Sequence, residues 1–188
     1  MEPIVLDTFS WSIDREALAR RLRLTPESEP WGEVMSLVEH AEAIGRPRAL
    51  YGVAYIADRD DDHLIVDGER LSSRVLRVNV GEANRLFPYV ATCGVELEAW
   101  ADALDDMLHS FWSEAIREAA LRCALAACLE HLHDMFQPGQ TATMNPGSLA
   151  DWPLAEQRPL FRLLGDPEGL IGVRLLPSLL MVPRKSVS

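Results

Sequence analysis

Between Val95 and Phe136 apolar residues recur every three or four positions, at Leu97, Trp100, Leu104, Met107, Leu108, Phe111 and Ala115. That spacing is one face of an α-helix. A single helix over the whole span is long for a small domain, so the pattern predicts two, broken near His109-Ser110. The spacing returns from about Trp31 to Ile44, at Val34, Leu37, Val38 and Ala41, and Gly45-Arg46-Pro47 stops it. A first helix follows the polar run Ser12 to Glu16, whose small side chains can accept the free N–H groups of a first turn. Its apolar face holds Leu18, Leu22 and Leu24, and Pro26 to Pro30 is a loop. A last helix is expected from about Leu154 to Leu164, with Asp151 as its N-cap.

Other apolar runs are short and partly β-branched, as strands are. They are Ile4 to Leu6, Leu50 to Ala57, Leu64 to Val66, Leu76 to Val80 and Phe87 to Thr92, with two more around Val173 to Leu175 and Leu179 to Met181. Asp58 to Asp62 and Asp67-Gly68 are polar turns between them. Connections this short suit an antiparallel meander, not parallel crossovers. The expected fold class is α+β. The chain shows no internal repeat and no long linker, so residues 1–188 are expected to form a single domain.

Charge narrows the partners. The 188 residues hold 18 Lys plus Arg against 29 Asp plus Glu, a net charge of −11. Such a surface repels phosphate backbones, so no nucleic-acid partner is expected. An anionic membrane surface is disfavoured for the same reason. MEPIVLDTFSW has no basic segment leading into an apolar stretch, as a secretory signal would. No apolar run reaches the ~18 residues that span a bilayer. Three scattered cysteines, Cys93, Cys123 and Cys128, do not make a disulfide framework. A cytoplasmic location with reduced thiols is the expectation.

Candidate chemistry is sparse. No Gly-rich phosphate loop, dinucleotide fingerprint or nucleophile elbow is present. Cys123, Cys128, His131 and His133 share the long helical segment, and Cys128 and His131 can share a face, which is compatible with a metal site. Free cysteines are more often buried core residues, and that reading is preferred. The acidic cluster Asp58 to Asp62 lacks the Gly and terminal Glu of a calcium loop and reads as a solvated turn. Cys93 stands at a strand-to-helix junction, where a thiol can be activated or simply packed. In Met144-Asn145-Pro146-Gly147-Ser148, Pro and Gly set the backbone path, and free N–H groups of such a turn can hold a carboxylate. A plain connecting turn is the alternative, and residue type alone does not choose. The basic C-terminal stretch Pro183-Arg184-Lys185 is either an anion site or a solvated tail.

Several segments taken in order resemble one family. They are Arg46-Pro47-Arg48-Ala49-Leu50-Tyr51, Val90-Ala91-Thr92-Cys93-Gly94-Val95-Glu96-Leu97 and Met144-Asn145-Pro146-Gly147-Ser148. Asp151-Trp152-Pro153-Leu154, Ile171-Gly172-Val173-Arg174-Leu175 and the ending Met181 to Ser188 complete the series. It is similar to stand-alone relatives of the activation domain of cobalamin-dependent methionine synthase and covers most of the chain. The resemblance implies a twisted antiparallel sheet with flanking helices. It also implies S-adenosylmethionine as ligand, with cobalamin reached only through a partner. It places the ligand loop at Thr143, Asn145, Pro146, Gly147 and Ser148, with Glu130 as the acidic side chain toward the ligand's positive groups.

The chain departs from that family at the loop. The family has an arginine three residues before the Pro-Gly and a tyrosine just after it, where this chain has Thr143 and Ser148. Losing a bidentate contact to a carboxylate costs about 2 to 4 kcal/mol. Arg184 and Lys185 would replace that charge if the C-terminus folds against the loop. Three functions are therefore carried forward. The first is an accessory protein that helps to reactivate or methylate a corrinoid-binding protein or methyltransferase. The second is a non-catalytic module that binds a small molecule or a corrinoid protein and has lost S-adenosylmethionine. The third is an enzyme using Cys93. The resemblance does not set the oligomeric state, and a homodimer is the self-association to test.

Overall fold

The computed structural model describes residues 2–188. Four short, largely apolar strands form a central sheet: β1 (Ile4–Leu6), β2 (Arg48–Tyr51), β7 (Tyr89–Thr92) and β10 (Ser186–Val187), in that spatial order. All its pairings are antiparallel, with Ala49 opposite Ala91 and Leu50 opposite Val90. Strand side chains alternate between faces, and both faces here are covered. Ala49, Tyr51, Tyr89 and Ala91 pack against Ala124, Cys128 and Leu132 of α5 (Met107–Phe136). Leu50 and Val90 meet Leu160 and Leu164 of α6 (Gln157–Leu164) and Ile171 of α7 (Pro167–Ile171) on the other side.

The 30-residue α5 carries the fold. Ala120, Ala124, Cys128 and Leu132 recur every fourth residue along one line and are buried. Three of them are small, and so are Ala49 and Ala91 opposite, so helix and sheet can approach closely. Its first half packs Trp112, Ala115 and Ile116 against Leu18, Val34, Val38, Ala41 and Leu97. Those residues come from α1 (Arg15–Leu22), α2 (Glu29–Ile44) and α4 (Val95–Asp102).

A second antiparallel sheet runs β5 (Glu69–Ser72), β4 (His63–Val66), β3 (Ala54–Arg59) and β6 (Arg85–Leu86). Leu64, Val66 and Leu71 pack there with Leu76 of α3 (Arg74–Val80), Trp152 and Leu163. A two-stranded ribbon, β8 (Arg174–Leu175) with β9 (Met181–Val182), precedes the last strand, β10.

The expected α+β class holds, and several boundaries move. The single run Leu50 to Ala57 is two strands in two sheets, interrupted at Gly52-Val53. The strand expected from Phe87 begins only at Tyr89, and an unexpected strand, Arg85–Leu86, precedes Phe87-Pro88, where proline has no N–H for a ladder. The Gly52 N–H donates to the Pro88 carbonyl at 3.0 Å, so the paired chains leave one sheet and enter the next together. The meander is confined to β3, β4 and β5. Leu76 to Val80, expected as a strand, is helical, because Ser73 caps it and Leu76 and Val80 share one buried face. The long helical segment breaks at residues 103–106, earlier than expected, where the Asp106 carboxylate caps α5 through the His109 N–H.

Asp151 is also reassigned. It does not cap the helix that follows it. Its carboxylate accepts from the Ser73 hydroxyl at 2.9 Å and the Val75 N–H at 2.8 Å, at the start of α3.

Candidate functional site

Where the two sheets part, the fold leaves a cavity of about 560 Å³. Its walls come from β6 and the start of β7, the last turns of α5, α3, and the segment from Pro138 to Met144. Most of the lining is apolar or aromatic, including Tyr55, Phe87, Tyr89, Leu132 and Trp152. That volume and character suit a small organic ligand. Among the described residues, two of the buried polar groups without partners belong to cavity-lining residues. The Trp152 Nε1 and the Ser188 hydroxyl are buried without a hydrogen bond, and both residues line the cavity.

The loop from Thr143 to Ser148 forms one rim. Thr143 and Met144 line the cavity itself. Asn145 sits just behind, its side-chain oxygen 3.5 Å from the Tyr89 hydroxyl. Burial pushes the Tyr89 phenol up to about 12, against the lowering effect of that hydrogen bond, so it stays a neutral donor. Pro146 is buried. Gly147 has φ of 87°, in the region that favours glycine, and its N–H donates to the Trp152 carbonyl at 2.7 Å. The Ser148 N–H donates to the Asn145 carbonyl at 3.1 Å. These two backbone donors, which the sequence offered to an anion, are committed inside the loop.

Other candidates lie elsewhere. Glu130 is exposed on α5 and is not part of the cavity wall. Arg184 and Lys185 do not reach the loop to replace its missing charge. Arg184 pairs with Glu98 and Asp102, and Lys185 with Glu114, on α4 and α5. Cys93 is fully buried at the end of β7, and burial pushes its thiol up to about 12, the opposite of an activated nucleophile. Cys128 is also fully buried, and His131 Nδ1 is 2.8 Å from the Tyr51 hydroxyl. The acidic residues Asp60, Asp61 and Asp62 are exposed in the β3–β4 turn.

Sequence reasoning missed Arg85, Phe87 and Tyr89 as wall residues. The available signal was a cation and two aromatics around a proline, of which only Phe87 and Tyr89 fell in the stretch read as a plain strand. The closeness of this segment to the Thr143 loop depends on β6 and β7 splitting between sheets.

No family model matches the chain, and no curated protein matches it. Among solved structures, a crystal structure of the MetH reactivation domain bound to AdoHcy superposes with a TM-score of 0.63 at 18% identity. The match covers 100% of this chain and 77% of that one. The chain therefore has the fold of a methionine synthase activation domain: antiparallel sheets with flanking helices.

Proposed function

We propose that this chain is an accessory module of corrinoid methyl-transfer chemistry, and that it binds an S-adenosyl ligand in the cavity beside the Thr143 loop. The observation that carries the reading is the cavity itself, walled by that loop, in a fold shared with a domain solved with AdoHcy. The walls suit the nucleoside part of such a ligand. Tyr55, Phe87, Tyr89 and Trp152 offer aromatic surface. Bound S-adenosylmethionine would supply the methyl group, and a partner would supply the corrinoid. The role of this chain is then placement and exclusion of water, which needs no acid–base pair in the wall.

A second reading has its own support. Thr143 brings no charge to the rim, the Gly147 and Ser148 N–H groups are used internally, and among the described residues no Asp or Glu side chain lines the cavity to meet an ammonium group. These features favour a binding module that has lost S-adenosylmethionine.

Calorimetric titration with S-adenosylmethionine and AdoHcy separates the two. The first reading expects saturable binding in the micromolar range. It also expects Thr143→Arg to tighten binding by at least about tenfold through a charge-assisted contact. Silence from both ligands up to about 1 mM would leave the second reading standing.

A further inference from the structure

The side chains of the cavity wall are charged unlike those of the rest of the molecule. The chain carries −11, yet among the described residues the only charged or chargeable wall side chains, apart from the phenols, are Arg85 and His133. Arg85 is half-buried on β6. Its guanidinium lies over two rings, 5.2 Å from the centre of Phe87 and 5.7 Å from that of Phe136. Its one side-chain hydrogen bond among the described residues runs from Nη2 to the Phe136 carbonyl at 3.3 Å. Many arginines of this acidic chain, such as Arg48, Arg117 and Arg162, face a carboxylate, and Arg85 does not.

Stacking on aromatic rings orients a guanidinium without neutralising it. A guanidinium has five N–H donors, so the fork remains largely free for a bidentate acceptor. A buried indole N–H without an acceptor is costly, and Trp152, a residue of the same wall and only 3% exposed, holds one. The free guanidinium fork asks for an electron-rich oxygen, and the aromatic wall asks for a flat apolar body.

We propose that Arg85 is the carboxylate anchor of this cavity, taking an anionic ligand with an aromatic body that packs against Phe87, Tyr89 and Trp152. The anchor stands whether or not the natural ligand carries an adenosyl group.

Naphthylpropanoate and its primary amide, naphthylpropanamide, test the anchor by calorimetry on the whole chain at neutral pH and low salt. The two probes share shape and differ in charge. The carboxylate should bind at least about tenfold more tightly than the amide, as a charge-assisted pair requires. Arg85→Gln should abolish that preference by weakening the carboxylate far more than the amide, and Arg85→Lys should restore part of it. Equal binding of the two probes overturns the proposal, as does a preference that survives Arg85→Gln or no carboxylate binding up to about 1 mM. Should Arg85→Gln fail to fold, the probe pair on the native chain and on Arg85→Lys still decides. Binding of naphthylpropanoate without binding of AdoHcy would remove the adenosyl reading and keep the anchor.

Discussion

Gly147 shows how one residue shapes the rim of the site. Its φ of 87° is strained for any other residue, and a Cβ there would sit 2.8 Å from Leu154 Cδ1. The leucine end can move, so backbone strain is the larger cost. Gly147→Ala should lower unfolding stability by about 1 to 2 kcal/mol in denaturant titration. A variant as stable as the parent would mean that the loop relaxes freely. The sequence marked Pro146 and Gly147 as the bend, because proline and glycine announce their backbone needs. Arg85 carried no such mark, because its meaning depends on Phe87 and Phe136 being beneath it.

At the level of elements, α3 is the instructive case. Arg74-Val75-Leu76-Arg77-Val78-Asn79-Val80 is rich in β-branched residues and reads as a strand. Two carboxylate contacts from Asp151, 76 and 78 residues away in sequence, help fix its first turn as a helix. The Val75 N–H and then the Ser73 hydroxyl hold the Asp151 carboxyl below its ordinary value. A depressed carboxyl contributes stability that is present above its unfolded value, about 3.9, and is lost as pH falls through the folded one. Asp151→Ala should therefore unfold at lower temperature than the parent near neutral pH. The gap should close in acid below the usual carboxylate range. A gap independent of pH would assign the effect to packing instead. The same variant should loosen the cavity wall, because α3 supplies Leu76, Asn79 and Val80 to it.

Across the whole molecule, the end of the chain is tied down by a charge network. Arg117 is 2% exposed and donates to Glu98 at 2.5 Å, with Glu114 as a second partner. Glu98 also accepts from the Arg184 backbone N–H at 3.1 Å and side chain at 2.7 Å. The adjoining Lys185 carbonyl accepts from the Cys93 N–H at 2.9 Å, which seats β10 on β7. Glu98→Ala leaves a buried guanidinium short of its partner and should cost about 3 to 5 kcal/mol. Faster amide exchange at Cys93 should accompany it. Glu16→Ala, at an exposed pair with Arg20, should stay within about 0.5 kcal/mol. Similar losses for both would show that the buried network contributes no more than a surface pair.

Periodicity determined that the core has helices, through Val34, Val38 and Ala41, but it named the wrong face at the start of α5, where Met107, Leu108 and Phe111 are exposed and Trp112 and Ile116 are buried instead. Turn chemistry determined the β3–β4 and β4–β5 hairpins and the Pro146-Gly147 bend. These signals are local, so the chain carries them without its fold. Only tertiary structure decided that one apolar run serves two sheets, that Asp151 caps a distant helix, and that Arg184 and Lys185 pair away from the loop. It also brought Arg85, Tyr89, Thr143 and Trp152 to one cavity. Those outcomes depend on which groups meet across dozens of residues, and hydrogen bonds and ion pairs act only over a few ångströms of space, whatever the separation along the chain.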